Sequence, residues 1–210
     1  MKVEIKRWSI SESDHLWLED TNPNDYIYND TCYNCGSNMQ EIAKVLDQNF
    51  VTGLSTGYCN VCGFVQRTNN LSDKWYNEHF ANNWLKGSNS TISDQQVLSE
   101  DRYVYNKLLP YMPDKQKISV LDAGCGIGQR LLPFYQAGYN VYGFDPSIAR
   151  TKKASERMRN LKIATAEEYF LNNPEEYDVI YFFNVLQFIE NPFKVIEIAS
   201  NRLTDGGLLF

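Results

Sequence analysis

The sequence predicts an α/β chain, a doubly wound and mostly parallel sheet preceded by a small β unit. Three observations carry that expectation. Two C-x-x-C-G segments, TCYNCGS (31–37) and GYCNVCGF (57–64), leave 23 residues between Cys35 and Cys59. From Ile118 onward, apolar strand patterns alternate with helical ones, the order expected of a parallel sheet with helices on both faces. The first of those strands runs into VLDAGCGIGQ (120–129), three glycines at alternate positions, and the next strand ends on Asp145.

The 210 residues suffice for one full core plus a smaller unit. The net charge of -6 argues against general nucleic-acid affinity, which comes from Lys and Arg neutralising phosphates. Residues 1–30 read as an acidic N-terminal extension; residues 11–30 hold Glu12, Asp14, Glu19, Asp20, Asp25 and Asp30 without a Lys or Arg. No apolar run of about 18 residues is present, and MKVEIKRWSI lacks the apolar stretch of a signal peptide. The expectation is a cytoplasmic, reducing location, where cysteines point to metal or catalysis rather than disulfides.

Residues 31–70 read as a zinc ribbon. Two cysteines three apart place both sulfurs on one side of a tight turn, which Gly36 or Gly63 closes with a positive φ. Two such turns facing each other give Cys32, Cys35, Cys59 and Cys62 as four thiolates around one Zn²⁺, a closed and therefore structural site. Leu54 and Tyr58 before the second turn, and Phe64 and Val65 after it, suit strands. A thioredoxin-type site would need a single C-x-x-C on a βαβ unit.

Residues 71–112 read as a helical connector or lid. LSDKWYNEHFANNWL spaces Trp75, Phe80 and Trp84 for a helical core face, and Ser93 with Gln96 suits a capping box. Pro110 and Pro113 bound the second helix.

In the domain from 113 to 210, ISVLDA is a strand, GQRLLPFYQAG a helix and NVYGFD a second strand. PSIARTKKASERMRN is a helix with Pro146 near its first turn, followed by a short strand LKIAT. YDVIYFFNVL is apolar throughout, as a strand covered on both faces should be. Asn191 and Pro192 open a helix, and TDGG turns into GLLF, the start of a fifth strand. Ligands of such sheets sit at the carboxyl ends of the strands. A dinucleotide fingerprint needs G-x-G-x-x-G, but Gln129 stands at the third position and the last glycine is Gly128. A Walker loop is excluded because no G-K-[ST] follows. Asp145 is placed where a carboxylate can accept both ribose hydroxyls of an adenosine. Cys125, left over once the other four close their own site, is expected to matter through its backbone rather than its sulfur.

VLDAGCGIGQ, VYGFDPS, EEYDVIYFFNVLQFIENP and NRLTDGGLLF together resemble the successive motifs of class I S-adenosylmethionine-dependent methyltransferases, whose domain is Rossmann-like. The resemblance covers residues 100–210. The ribbon and WYNEHF extend it toward bacterial small-molecule methyltransferases, deoxysugar C-methyltransferases among them. It implies S-adenosyl-L-methionine as cofactor, with Gly124, Gly126 and Gly128 in its loop and Asp122 near its ammonium. It further implies Asp145 on the ribose, Ala166 and Glu167 at the adenine, and Asn184 beside the methionine moiety and the acceptor.

Many relatives carry Glu-His after the fourth strand, where this chain has Gln187 and Phe188, so the obvious base is missing. His79 and Tyr76 of the connector become the catalytic candidates. The family normally continues beyond a fifth strand, so a chain ending at Phe210 is expected to be a fragment, or to pair through its open sheet edge. The expected acceptor is a small molecule, such as a sugar or a secondary-metabolite or cell-surface precursor. Two alternatives stand beside it: an RNA methyltransferase gripping its substrate with the ribbon, and a non-catalytic cofactor-binding protein. FFNV in place of an N/D-P-P-Y motif speaks against the first.

Overall fold

The computed structural model describes residues 23–46, 53–72, 74–75, 78, 101–114 and 116–210. The chain divides into two compact units, Met1–Ser72 and Asp73–Phe210. Among the described residues no helix is long and apolar enough to cross a membrane.

In the first unit, β2 (Met39–Leu46), β3 (Gly53–Cys59) and β4 (Val65–Arg67) form an antiparallel three-stranded sheet. A separate pair joins β1 (Tyr26–Tyr28) to β5 (Asn69–Leu71). Sequence reasoning placed Tyr26–Tyr28 in an acidic extension; its partner strand instead ties it to the far end of the ribbon. Buried amide side chains stitch the small unit where apolar area is scarce. Gln66 accepts from the Tyr33 amide at 2.8 Å and donates to the Thr31 carbonyl at 2.9 Å, and Asn69 accepts from the Ser55 amide at 2.6 Å.

The second unit holds a five-stranded sheet in the order β10-β9-β6-β7-β8, every neighbouring pair parallel. Its strands are β6 (Ser119–Ala123), β7 (Asn140–Asp145), β8 (Leu161–Ile163), β9 (Tyr177–Phe182) and β10 (Leu203–Leu209). Side chains alternate across the sheet. Val120, Val179 and Tyr181 join one core with Leu131 and Phe134, while Leu121, Ile180 and Phe182 join the other with Tyr169, Phe170 and Val195. The first face is covered by α1 (Tyr103–Leu108) and α2 (Leu132–Gln136), the second by α4 (Ala166–Asn172) and α5 (Pro192–Ser200). Buried Asp178 locks three strands in register: Oδ2 accepts from the Ser119 amide at 3.0 Å, and Oδ1 from the Thr204 hydroxyl at 2.7 Å.

Local boundaries depart from the sequence pattern where capping wins. α3 spans Ile148–Ser155, with Ser147 as N-cap accepting from the Arg150 amide, so Pro146 lies just ahead of the cap, near the first turn, and the helix is shorter at both ends than the pattern PSIARTKKASERMRN. TDGG does not precede the fifth strand but lies within β10, whose register shifts between Leu203 and Leu208 as Gly206 takes φ +74°. The capping-box site at Ser93, and Trp84 and Phe80, lie outside the described residues.

Candidate functional site

The strand order sets the place for a ligand. From β6 the chain steps outward to β7 and β8, then returns to β9 on the other side of β6. Loops leaving β6 and β9 therefore diverge and open a crevice at their carboxyl ends. A cavity of about 260 Å³ lies there, lined among others by Gly124, Gly126, Asp145, Ala166, Glu167 and Asn184.

The glycine loop is built backward onto β7. The amides of Gly124 and Cys125 both donate to the Phe144 carbonyl, at 2.9 and 2.8 Å. Gly124 has φ +83°, and a Cβ there would stand 2.4 Å from Cγ2 of Val185, so only glycine allows this approach. Cys125 is buried, and its side chain packs at the bare Cα of Gly143 in β7. Burial pushes its thiol well above the ordinary value.

Asp145 is nearly inaccessible, with each carboxylate oxygen accepting one backbone amide: Gly126 on Oδ2 and Ser147 on Oδ1, both at 2.9 Å. Burial raises its pKa; the Arg150 guanidinium and the two amides pull the other way. Each oxygen keeps further acceptor capacity facing the cavity. Past β8, Thr165 caps α4, and its hydroxyl and amide meet the Glu168 carboxylate at 3.0 and 2.9 Å. That cap sets Ala166 and Glu167 at the cavity wall, where Glu167 pairs with Lys194 at 3.0 Å. Asn184, just beyond β9, is the one non-glycine described residue with positive φ, at 56°. Asn tolerates this left-handed conformation better than most residues, and the side of the cavity beyond β9 includes it.

Two expected loop residues stand apart. Gly128 and Asp122 do not line the cavity. Asp122 is buried beneath the loop, its carboxyl pushed up to about 7 by burial, against the pull of Tyr181 and Arg130. The Tyr181 hydroxyl stands beside it without closing hydrogen-bond geometry. Tyr76 and His79 lie outside the described residues. Sequence reasoning passed over Arg130, Arg150 and Phe183, which also line the cavity; no motif marks them, because an arginine in the turn before α2 or on α3 becomes a site residue only through the sheet it packs on.

In the first unit the two cysteine turns are near copies. The Gly36 amide donates to the Cys32 carbonyl at 2.8 Å and the Gly63 amide to that of Cys59 at 2.9 Å; the glycines have φ +74° and +77°. The four sulfurs lie within 4.8 Å of one another, with Cys32–Cys62 at 3.6 Å and Cys35–Cys59 at 3.5 Å. Thiolates bound tetrahedrally to zinc at about 2.3 Å would be about 3.8 Å apart, so the cluster fits such an ion. Hydrogen bonds from Asn34, then the Phe64 amide, pull the Cys62 thiol down to about 6, and Ser37 lowers that of Cys35. Burial pushes the Cys32 thiol the other way, up to about 11, so the cluster's thiols differ without a metal.

A family model described as a methyltransferase domain matches residues 97–210. The chain belongs to the methyltransferase-domain family. Its five parallel strands and helices are those of the class I, Rossmann-like methyltransferases. A ubiquinone biosynthesis O-methyltransferase of Hydrogenovibrio crunogenus is 31% identical over 98 residues, 44% of this chain and 41% of that protein. Its namesake in Rickettsia typhi is 32% identical over 112 residues, 50% of this chain and 45% of that one. The methyltransferase chain thus spans less than half the length of these curated relatives. Among solved structures, a magnesium protoporphyrin IX methyltransferase of Synechocystis overlaps 62% of this chain and 71% of its own, with TM-score 0.49 and 19% identity. A sugar N-methyltransferase of Streptoalloteichus overlaps 55% and 47%, with TM-score 0.47 and 17% identity. Neither overlap bears on an acceptor for this chain.

Proposed function

We propose that the second unit binds S-adenosylmethionine and transfers its methyl group to a small-molecule acceptor, and that the four cysteines hold a structural zinc ion. The observation that carries the cofactor reading is Asp145. It is held by two amides at the end of β7, with acceptor capacity turned into a cavity floored by Gly124 and Gly126. A ribose diol needs two adjacent acceptors on one rigid carboxylate, and this arrangement offers them. Gln129 leaves no third glycine for a pyrophosphate.

The cofactor supplies a sulfonium-bound methyl group ready for in-line displacement. The chain's residues then have to orient and exclude water. Asp145 fixes the ribose, Ala166 and Glu167 flank the adenine, and Asn184 with its strained backbone places the methionyl arm and the acceptor. Where the acceptor must lose a proton, that role falls to His79 or Tyr76 of the connector. A small-molecule acceptor is supported by the net charge of -6 and by relatives named for ubiquinone biosynthesis.

Calorimetric titration with S-adenosylhomocysteine tests the reading. Binding to the native protein, weakened roughly ten- to hundredfold in Asp145→Asn, is expected from the loss of a charged acceptor. Native protein that binds neither S-adenosylhomocysteine nor S-adenosylmethionine refutes it.

A further inference from the structure

The cavity has two chemically distinct ends. Asp145 stands at the end of β7 and Phe183 just past the end of β9, with β6 between them, about 10 Å across two strand spacings. With the adenosine at the Asp145 end, the β9 end receives the methionyl arm and the acceptor. The group waiting there is Arg130, whose guanidinium carbon lies 4.3 Å from the centre of the Phe183 ring.

Among the described residues Arg130 has no carboxylate at ion-pair distance. Its Nε is buried without a hydrogen-bond partner, and among the described residues the side chain makes no hydrogen bond or ion pair. Asp122 acts on it through space, but burial raises that carboxyl's pKa and so works against its charged form. Asp145 is committed to the Gly126 and Ser147 amides and to the neighbouring Arg150. Arg150 adds a second guanidinium to the same cavity, close enough for the two cations to repel. A partly desolvated guanidinium facing a cavity is stabilised by an anion, and its planar fork matches a carboxylate. The need is sharper here, because a cationic sulfonium is to be bound beside it.

We propose that Arg130 is the anion-binding residue of this site, taking a carboxylate at the β9 end. This rests on the adenosyl reading of the Asp145 end. Two sources share the chemistry: the carboxylate of the cofactor's amino-acid arm, and a carboxylate on the acceptor. In the second case Arg130 selects anionic acceptors, with Phe183 and Phe188 offering aromatic surface beside it.

The experiment titrates native, Arg130→Met and Arg130→Lys protein with three probes. These are S-adenosylhomocysteine, 5′-methylthioadenosine (which lacks the amino-acid arm) and benzoate, the last alone and after nucleoside saturation. A cofactor source predicts that Arg130→Met weakens S-adenosylhomocysteine roughly ten- to hundredfold and leaves methylthioadenosine unchanged. An acceptor source predicts that both nucleosides bind as before while benzoate binding is lost. In either case Arg130→Lys restores part of the affinity. The proposal is overturned if Arg130→Met leaves both S-adenosylhomocysteine and benzoate unchanged. It is equally overturned if methylthioadenosine is lost in step with the others, the mark of a merely structural arginine. Native protein that binds benzoate but neither nucleoside refutes the adenosyl reading and leaves the anion site standing.

Discussion

Asp122 and Asp145 close neighbouring strands, yet their surroundings separate them. Asp145 receives two amides and lines the cavity; Asp122 receives no hydrogen bond of good geometry among the described residues and is buried. Its pKa of about 7 in the folded chain stands above an unfolded value of about 3.9. Between those values the folded state holds more protons than the unfolded one, so stability falls as pH rises. This contribution is fully present below about pH 4, is lost on passing through about 7, and is flat above. Asp122→Asn removes the ionisation, so its urea midpoint should lose less than native protein between pH 5 and 8. Parallel pH profiles for the two proteins would exclude Asp122 as the titrating group.

At the scale of the element, caps place the site. α4 is only seven residues long, too short to be helical on propensity alone. The reciprocal box of Thr165 and Glu168 gives it a defined start, so that Ala166 and Glu167 meet the cavity. Thr165→Ala should cost about 1 kcal/mol in urea denaturation, the usual worth of an N-cap, and weaken nucleoside binding by misplacing the adenine wall. An unchanged midpoint would show that packing of Tyr169 and Phe170 fixes the helix without its cap. Capping also explains the boundaries that pattern reading misplaced. Ser147 begins α3 after Pro146 because a side-chain acceptor serves the first turn better than a missing amide.

At the scale of the molecule, the two units draw stability from different sources. The second buries two apolar layers on either side of a sheet. The first has buried amides and four converging sulfurs, the composition of a fold that a metal completes. One zinc per chain is expected in reduced protein never exposed to chelator; finding none would sink that assignment. Chelation should remove hydrogen-exchange protection from β2–β4 and leave it at β6, β7 and β9.

What the sequence by itself determined is local in origin. The doubled C-x-x-C-G turns, the glycine loop and the acid after β7 each lie within a few residues of one another or at a strand end, and their chemistry follows from spacing. Strand–helix alternation carried the sheet and its parallel sense for the same reason. Tertiary structure alone decided which acid lines the cavity. The family resemblance placed both acids beside the cofactor, Asp122 near its ammonium and Asp145 on its ribose; in the fold Asp122 is buried beside Tyr181 and Arg130, and Asp145 lines the cavity. It also brought Arg130 to Phe183 across the crevice between the loops of β6 and β9. No local pattern encodes that meeting, because it depends on β9 returning to the opposite side of β6 from β7.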